Sequence, residues 1–163
     1  MLRKTALSGV IAAMYIALVM VTIPTSFGFT QFRAAEALTL LPFLFPEAIP
    51  GLFAGCFLSN VFFSEFGPPD WIIGSLATLS AAVITARCKT RWLAALPPVV
   101  INAAAVGVML SVLLEMGTAA IPFAVLTVGL GQAAVCCGLG VPLVYALEKA
   151  NIRSRFSLDG RNK

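Results

Sequence analysis

Apolar runs crowd this chain so closely that little else is left. From residue 5 to residue 149, one hydrophobic stretch follows another, with only short polar or Pro/Gly breaks between them. Of the 163 residues, 60% are hydrophobic and 11% charged, and the mean hydropathy is +0.97. A chain of that composition belongs in a bilayer, where backbone amides must be satisfied within the protein and helices meet that demand segment by segment. The breaks delimit six helices, over about 5–23, 35–45, 49–63, 70–87, 92–114 and 119–149. The second is short for a bilayer that takes about 20 residues to cross. Pro50, Pro97, Pro98, Pro122 and Pro142 fall near helix ends or at positions where they kink a helix. The expected fold is therefore all-α, an integral membrane six-helix bundle. It forms one domain over residues 1–150, followed by a basic cytoplasmic tail over 151–163.

Basic residues orient the bundle. Arg3 and Lys4 precede the first run; Arg87, Lys89 and Arg91 separate the fourth from the fifth; Lys149, Arg153, Arg155, Arg161 and Lys163 follow the sixth. With six spans these places share one side, which the positive-inside rule makes cytoplasmic, both termini included. The first run is read as a retained helix. No small-x-small cleavage site follows it, and Pro24-Thr25-Ser26-Phe27-Gly28 reads as a helix exit.

Several function classes drop out. The chain has no histidine, which removes Ser-His and Cys-His nucleophile pairs and histidine-ligated metals. Cys56, Cys88, Cys136 and Cys137 lack metal-ligand spacing and read as small packing residues. No phosphate-loop motif is present, so the chain has no such route to ATP hydrolysis. Asp70 is the only Asp before the tail and the lysines sit at cytoplasmic positions, so an intramembrane aspartyl or Ser-Lys protease cannot be assembled. The scattered basic clusters encode topology and not a nucleic-acid footprint. Neither an enzyme, nor a cofactor, nor a metal site is expected.

The exceptions to apolarity carry the functional argument. Ionisable groups within apolar helices are costly and mark functional sites. Arg33 is the one basic residue outside the cytoplasmic set, and its spacing to Glu36 allows the two to offset each other's desolvation on a helix. Glu36, Asn60, Asp70, Trp71, Asn102 and Gln132 complete a candidate substrate-binding set with it. Carboxylate, amides and indole together suit a flat heterocycle with a donor/donor edge and a carbonyl. Plainer roles remain open at this point: Asp70 as a helix N-cap, Trp71 as an interfacial anchor, Asn102 and Gln132 as glue between helices. Glu65 is a further possible counter-ion, and Glu115 reads as a loop residue. Ala6, Gly9, Ala13 and Ala17 form a small-residue strip on the first helix, suited to close approach of another helix.

The run Arg33-Ala-Ala-Glu36-Ala-Leu-x-Leu-Leu-Pro42, with Pro46-Glu47-Ala48-Ile49-Pro50-Gly51-Leu52, Gly55-Cys56-x-x-x-Asn60 and Asp70-x-x-x-Gly74-Ser75-Leu76-Ala77-Thr78-Leu79, resembles the QueT family. The likeness extends over most of the chain. It implies the substrate-binding S component of an energy-coupling-factor (ECF) importer in a bacterial cell membrane, capturing a queuosine precursor, a 7-deazaguanine. It also implies a transmembrane T component and two cytoplasmic ATPases as partners. The T component would meet small residues of the first helix, which assigns Gly9, Ala13 and Ala17 to the partner surface. Kept beside this reading are an S component for another vitamin or nucleobase and a structural membrane subunit.

Overall fold

The computed structural model describes residues 2–26 and 32–152. Of the basic tail, 153–163 lie outside the described residues, as do Phe27 and Gly28 of the expected helix exit. Every regular element among the described residues is helical, in the order α1 (Leu2–Val21), α2 (Ile23–Ser26), a 3-10 segment (Ala34–Phe43), α3 (Ala48–Phe63), α4 (Pro68–Thr85), α5 (Arg91–Leu113), a 3-10 turn (Thr118–Ala120), α6 (Ile121–Val135), a π turn (Cys136–Gly140) and α7 (Val141–Lys149). Three helices are long and apolar enough to cross a bilayer: Leu2–Val21, Arg91–Leu113 and the continuous Thr118–Lys149. Large apolar side chains face outward, and a polar cluster is enclosed within the apolar core. Phe62, Val100, Leu126 and Leu130 are exposed, whereas Arg33, Glu36, Asn60, Asp70, Asn102 and Gln132 are buried. That inversion suits a lipid solvent.

Two expected helices take different forms. The second is a 3-10 segment, its turns closed by bonds such as Glu36 N–H to the Arg33 carbonyl at 3.0 Å and Leu44 N–H to that of Leu41 at 2.9 Å. Pro42 within it lacks the N–H that an α-turn would need. The segment runs through the middle of the molecule, buried from Ala35 to Pro42, and touches α1, α3, α4, α5, α6 and α7. Non-α backbone at that depth is tolerated because it is enclosed by protein. The sixth expected helix contains the π turn within its length, and that turn packs on the 3-10 segment. There a Cβ on Gly140 would lie 3.1 Å from the Leu40 side chain.

Close helix crossings rest on small residues. A Cβ on Gly51 of α3 would collide with the Ser8 carbonyl of α1, and one on Gly55 would sit 2.8 Å from Tyr15 Cβ. The α3 glycines four apart therefore let α1 approach backbone to backbone. Ile11, Tyr15 and Val19 form the buried stripe of α1, while Ala6, Gly9, Ala13 and Ala17 are exposed on its other side. In α5, Pro97 and Pro98 cannot bond the carbonyls of Leu93 and Ala94. Cys88 Sγ–H at 3.5 Å and Thr85 Oγ–H at 3.1 Å donate to these carbonyls instead.

Ion pairs tie together the ends that carry the basic residues. Lys4 Nζ lies 3.0 Å from Glu47, and Arg91 Nη1 lies 3.0 Å from Glu148. Leu7, Ala95, Val144 and Leu147 share one apolar cluster, so the starts of α1 and α5 and the end of α7 meet at one end of the bundle.

Candidate functional site

Glu36 is the centre of the molecule's polar interior. It enters on the first turn of the 3-10 segment, is 2% exposed, and both its oxygens are covered. Tyr15 on α1 donates its hydroxyl to Oε1 at 2.5 Å; Gln132 of α6 and Asn102 of α5 donate amide N–H groups to Oε2 at 3.1 and 3.3 Å. Three helices thus present donors to one carboxylate, an arrangement of charge-assisted bonds in a medium without competing water.

A second polar group adjoins the first. Arg33 stands just before the 3-10 segment in extended backbone, which turns it away from the helical spacing that would set it over Glu36. It pairs with Asp70 instead, Nη2 to Oδ2 at 3.2 Å, and donates its Nε–H to the Ser26 carbonyl at 3.0 Å. The expected Arg33–Glu36 pairing is thereby corrected: chain direction at residue 33, not sequence spacing, decides the partner. Ser64 donates to the same Asp70 oxygen at 2.6 Å, and Asn60 donates to the Asp70 backbone carbonyl at 3.0 Å. Asp70 does not cap α4. Gly67 holds the N-cap position, and the carboxylate is spent on Arg33 and Ser64. Both members of the Arg33–Asp70 pair are at most 5% exposed, so each answers the other's desolvation.

A small void lies between these groups, lined by Arg33, Glu36, Gly74, Thr78, Asn102, Val106, Val128 and Gln132. It has about 10 Å³ of room for water centres, the space of about one water molecule. Of the seven residues expected to bind substrate, Arg33, Glu36, Asn102 and Gln132 line this void together. Asn60 and Asp70 stand behind Gly74, where a Cβ would lie 2.9 Å from Asn60 Nδ2 and 2.8 Å from Asp70 Oδ1. Trp71 is half-buried and does not line it. Glu65 is exposed and takes no part in the cluster. Glu115 lies in a left-handed turn past the end of α5, as its loop reading anticipates.

Tyr15, Ser64 and Thr78 escaped the sequence reading. Hydroxyls give no hydropathy signal strong enough to single them out. Tyr15 sits on the face of α1 opposite the small-residue strip that had drawn attention there. Among the described residues no group of three or more Cys, Asp or Glu could hold a metal ion.

An apolar-skinned helical molecule whose interior gathers one guanidinium, two carboxylates and three amides has the construction of a membrane protein with a buried polar cluster. More narrowly, the chain belongs to the QueT transporter family, whose model matches residues 5–149. It is a membrane transport protein and not an enzyme. No curated protein and no solved structure matches it.

Proposed function

We propose that this chain is the substrate-binding S component of an ECF importer and captures a queuosine precursor, a 7-deazaguanine, from outside the cell. The observation that carries the proposal is Glu36, a deeply buried carboxylate whose oxygens already accept from three donors on α1, α5 and α6. A 7-deazaguanine offers the same thing in one rigid edge, a ring N–H beside an exocyclic amine. Exchanging side-chain donors for that edge keeps the carboxylate satisfied. The released amide N–H groups of Asn102 and Gln132 can then serve acceptors such as the ring carbonyl. The void of about 10 Å³ is far below the few hundred Å³ of an ordinary ligand pocket, so the walls must part to admit a bicyclic ring.

In this reading the 3-10 segment counts as a short second span, and α6 with the π turn and α7 as the sixth. The single domain covers residues 1–150. The basic ends of α1, α5 and α7 then face the cytoplasm by the positive-inside rule, with both termini there, and Arg33 and Asp70 lie toward the outside. With no phosphate loop of its own, the chain draws energy from a T component and two ATPases. Gly9, Ala13 and Ala17, exposed on α1, are the proposed contact for the T component.

Calorimetric titration of the purified full-length subunit with 7-deazaguanines, riboflavin and thiamine tests the proposal. Saturable binding of a 7-deazaguanine alone is expected. Tighter binding of one of the vitamins, or none of the deazaguanines, would overturn it.

A further inference from the structure

A groove in the apolar skin reaches the centre of the molecule. It runs between α1 and α7, with Leu7 and Met14 on one wall, Leu143 and Leu147 on the other, and Leu38 and Leu41 of the 3-10 segment as its floor. The 3-10 segment touches both helices and closes the gap between them from behind. The groove has about 190 Å³ of room, and every side chain lining it is apolar. Met14 is about half exposed, so the groove opens sideways into the lipid.

Charge and dimension together say what fills it. Arg3 and Lys4 stand one helical turn before Leu7 on α1, and Arg3 continues the stripe of Leu7, Val10 and Met14. Both are exposed; Lys4 pairs with Glu47 at 3.0 Å and keeps about half of its side chain open. At this end of the bundle, Arg3, Lys4, Arg87, Lys89, Arg91 and Lys149 stand against two carboxylates among the described residues, Glu47 and Glu148. Such an excess of positive charge beside membrane helices attracts anionic headgroups. From Arg3 to Met14, α1 rises about 16 Å at 1.5 Å per residue. That is the depth of one leaflet, half of a hydrocarbon core about 30 Å thick. A helix of another subunit suits the groove less well. Helices approach closely over small residues, and those lie on the neighbouring strip of Gly9, Ala13 and Ala17, whereas long side chains wall the groove.

We infer that the groove between α1 and α7 holds one acyl chain of an anionic phospholipid whose phosphate sits at Arg3 and Lys4. The chain lies against Leu38 and Leu41, two and five residues beyond Glu36 on the same 3-10 segment. The lipid therefore supports, from the side, the backbone that carries the buried carboxylate. A zwitterionic lipid fills the groove equally well and gains less from the two cations, because its own ammonium offsets its phosphate. The site is separate from the buried polar cluster and does not depend on which solute binds there.

Native mass spectrometry of the full-length subunit in detergent tests this, with phosphatidylglycerol and phosphatidylcholine of matched chains added in equal amounts. One phosphatidylglycerol should stay bound, favoured about 5- to 30-fold, since each cation near the headgroup is worth about a factor of five. Arg3→Gln should cut that preference about fivefold. Leu143→Trp, which fills the groove, should remove bound lipid of both kinds. Should Leu143→Trp fail to fold, Arg3→Gln decides by itself, because Arg3 is exposed and outside the core. Equal retention of the two lipids by the wild type, an undiminished preference in Arg3→Gln, or undiminished lipid binding in a folded Leu143→Trp would overturn the inference. Cross-linking of Leu143→Cys to a second membrane protein in whole membranes would assign the groove to a partner helix and overturn it as well.

Discussion

Glu36→Gln separates the chemistry of the site from its architecture. The substitution keeps size and shape and replaces one carboxylate oxygen with an NH2 group. With its remaining oxygen turned to Asn102 and Gln132, the new amide keeps both of the bonds at 3.3 and 3.1 Å. Its NH2 then meets the Tyr15 hydroxyl, which can reverse and accept. The protein should therefore fold. Its melting temperature should hold or rise, because a buried charge becomes a neutral isostere. A ligand with a donor/donor edge fares differently. It needs two acceptors and now finds one acceptor beside a donor, in a site only 2% exposed, where water cannot repair the mismatch. Losing a charge-assisted bond costs about 1.5–3 kcal/mol, so affinity for a 7-deazaguanine should drop about 10- to 100-fold at 1.4 kcal/mol per decade. Calorimetry on the two detergent-solubilised proteins, with melting curves recorded alongside, reads both effects. An affinity within threefold of wild type in a folded variant would refute the assignment of Glu36 to the ligand's donor edge.

Arg33→Lys should lower stability by about 1–3 kcal/mol, seen as a lower melting temperature. One ammonium cannot span both the Ser26 carbonyl and Asp70 as the guanidinium does. Gly51→Ala should destabilise by at least about 1–3 kcal/mol through overpacking against the Ser8 carbonyl, measured by thermal unfolding in detergent. Ala13→Trp, on the exposed side of α1, should leave folding and ligand affinity intact while abolishing ATP-driven uptake in cells that carry the whole transporter; loss of ligand binding would put position 13 in the bundle interior. Single cysteines at positions 65 and 89, in a background lacking the native ones, should react with an impermeant reagent in intact cells at 65 and not at 89. The reverse pattern would invert the proposed orientation.

Helix positions were largely legible along the chain, because hydropathy and Pro/Gly breaks are local signals. The spans expected at 49–63 and 92–114 match Ala48–Phe63 and Arg91–Leu113 to within a residue. Backbone type was not legible. The 3-10 segment and the π turn form where Leu40 presses against Gly140, a contact between positions 100 residues apart. Polar residues could be picked out as exceptions, yet their pairing could not. Arg33 and Glu36 share a helical spacing, and extended backbone at Arg33 sends its side chain to Asp70 instead. Tyr15 remained hidden because a tyrosine in an apolar helix is unremarkable until a buried carboxylate faces it.

What the sequence determined by itself is the solvent. Its apolar share demands a bilayer, a sum over many residues that survives any detail of packing. The tertiary structure decided which buried polar atoms meet. A buried charge is stabilised only by a partner within a few ångströms, and which groups come that near depends on how α1, α4, α5 and α6 cross around the central 3-10 segment. That crossing gives Glu36 its three donors and Arg33 its partner Asp70, and so gathers a scatter of polar residues into one buried cluster.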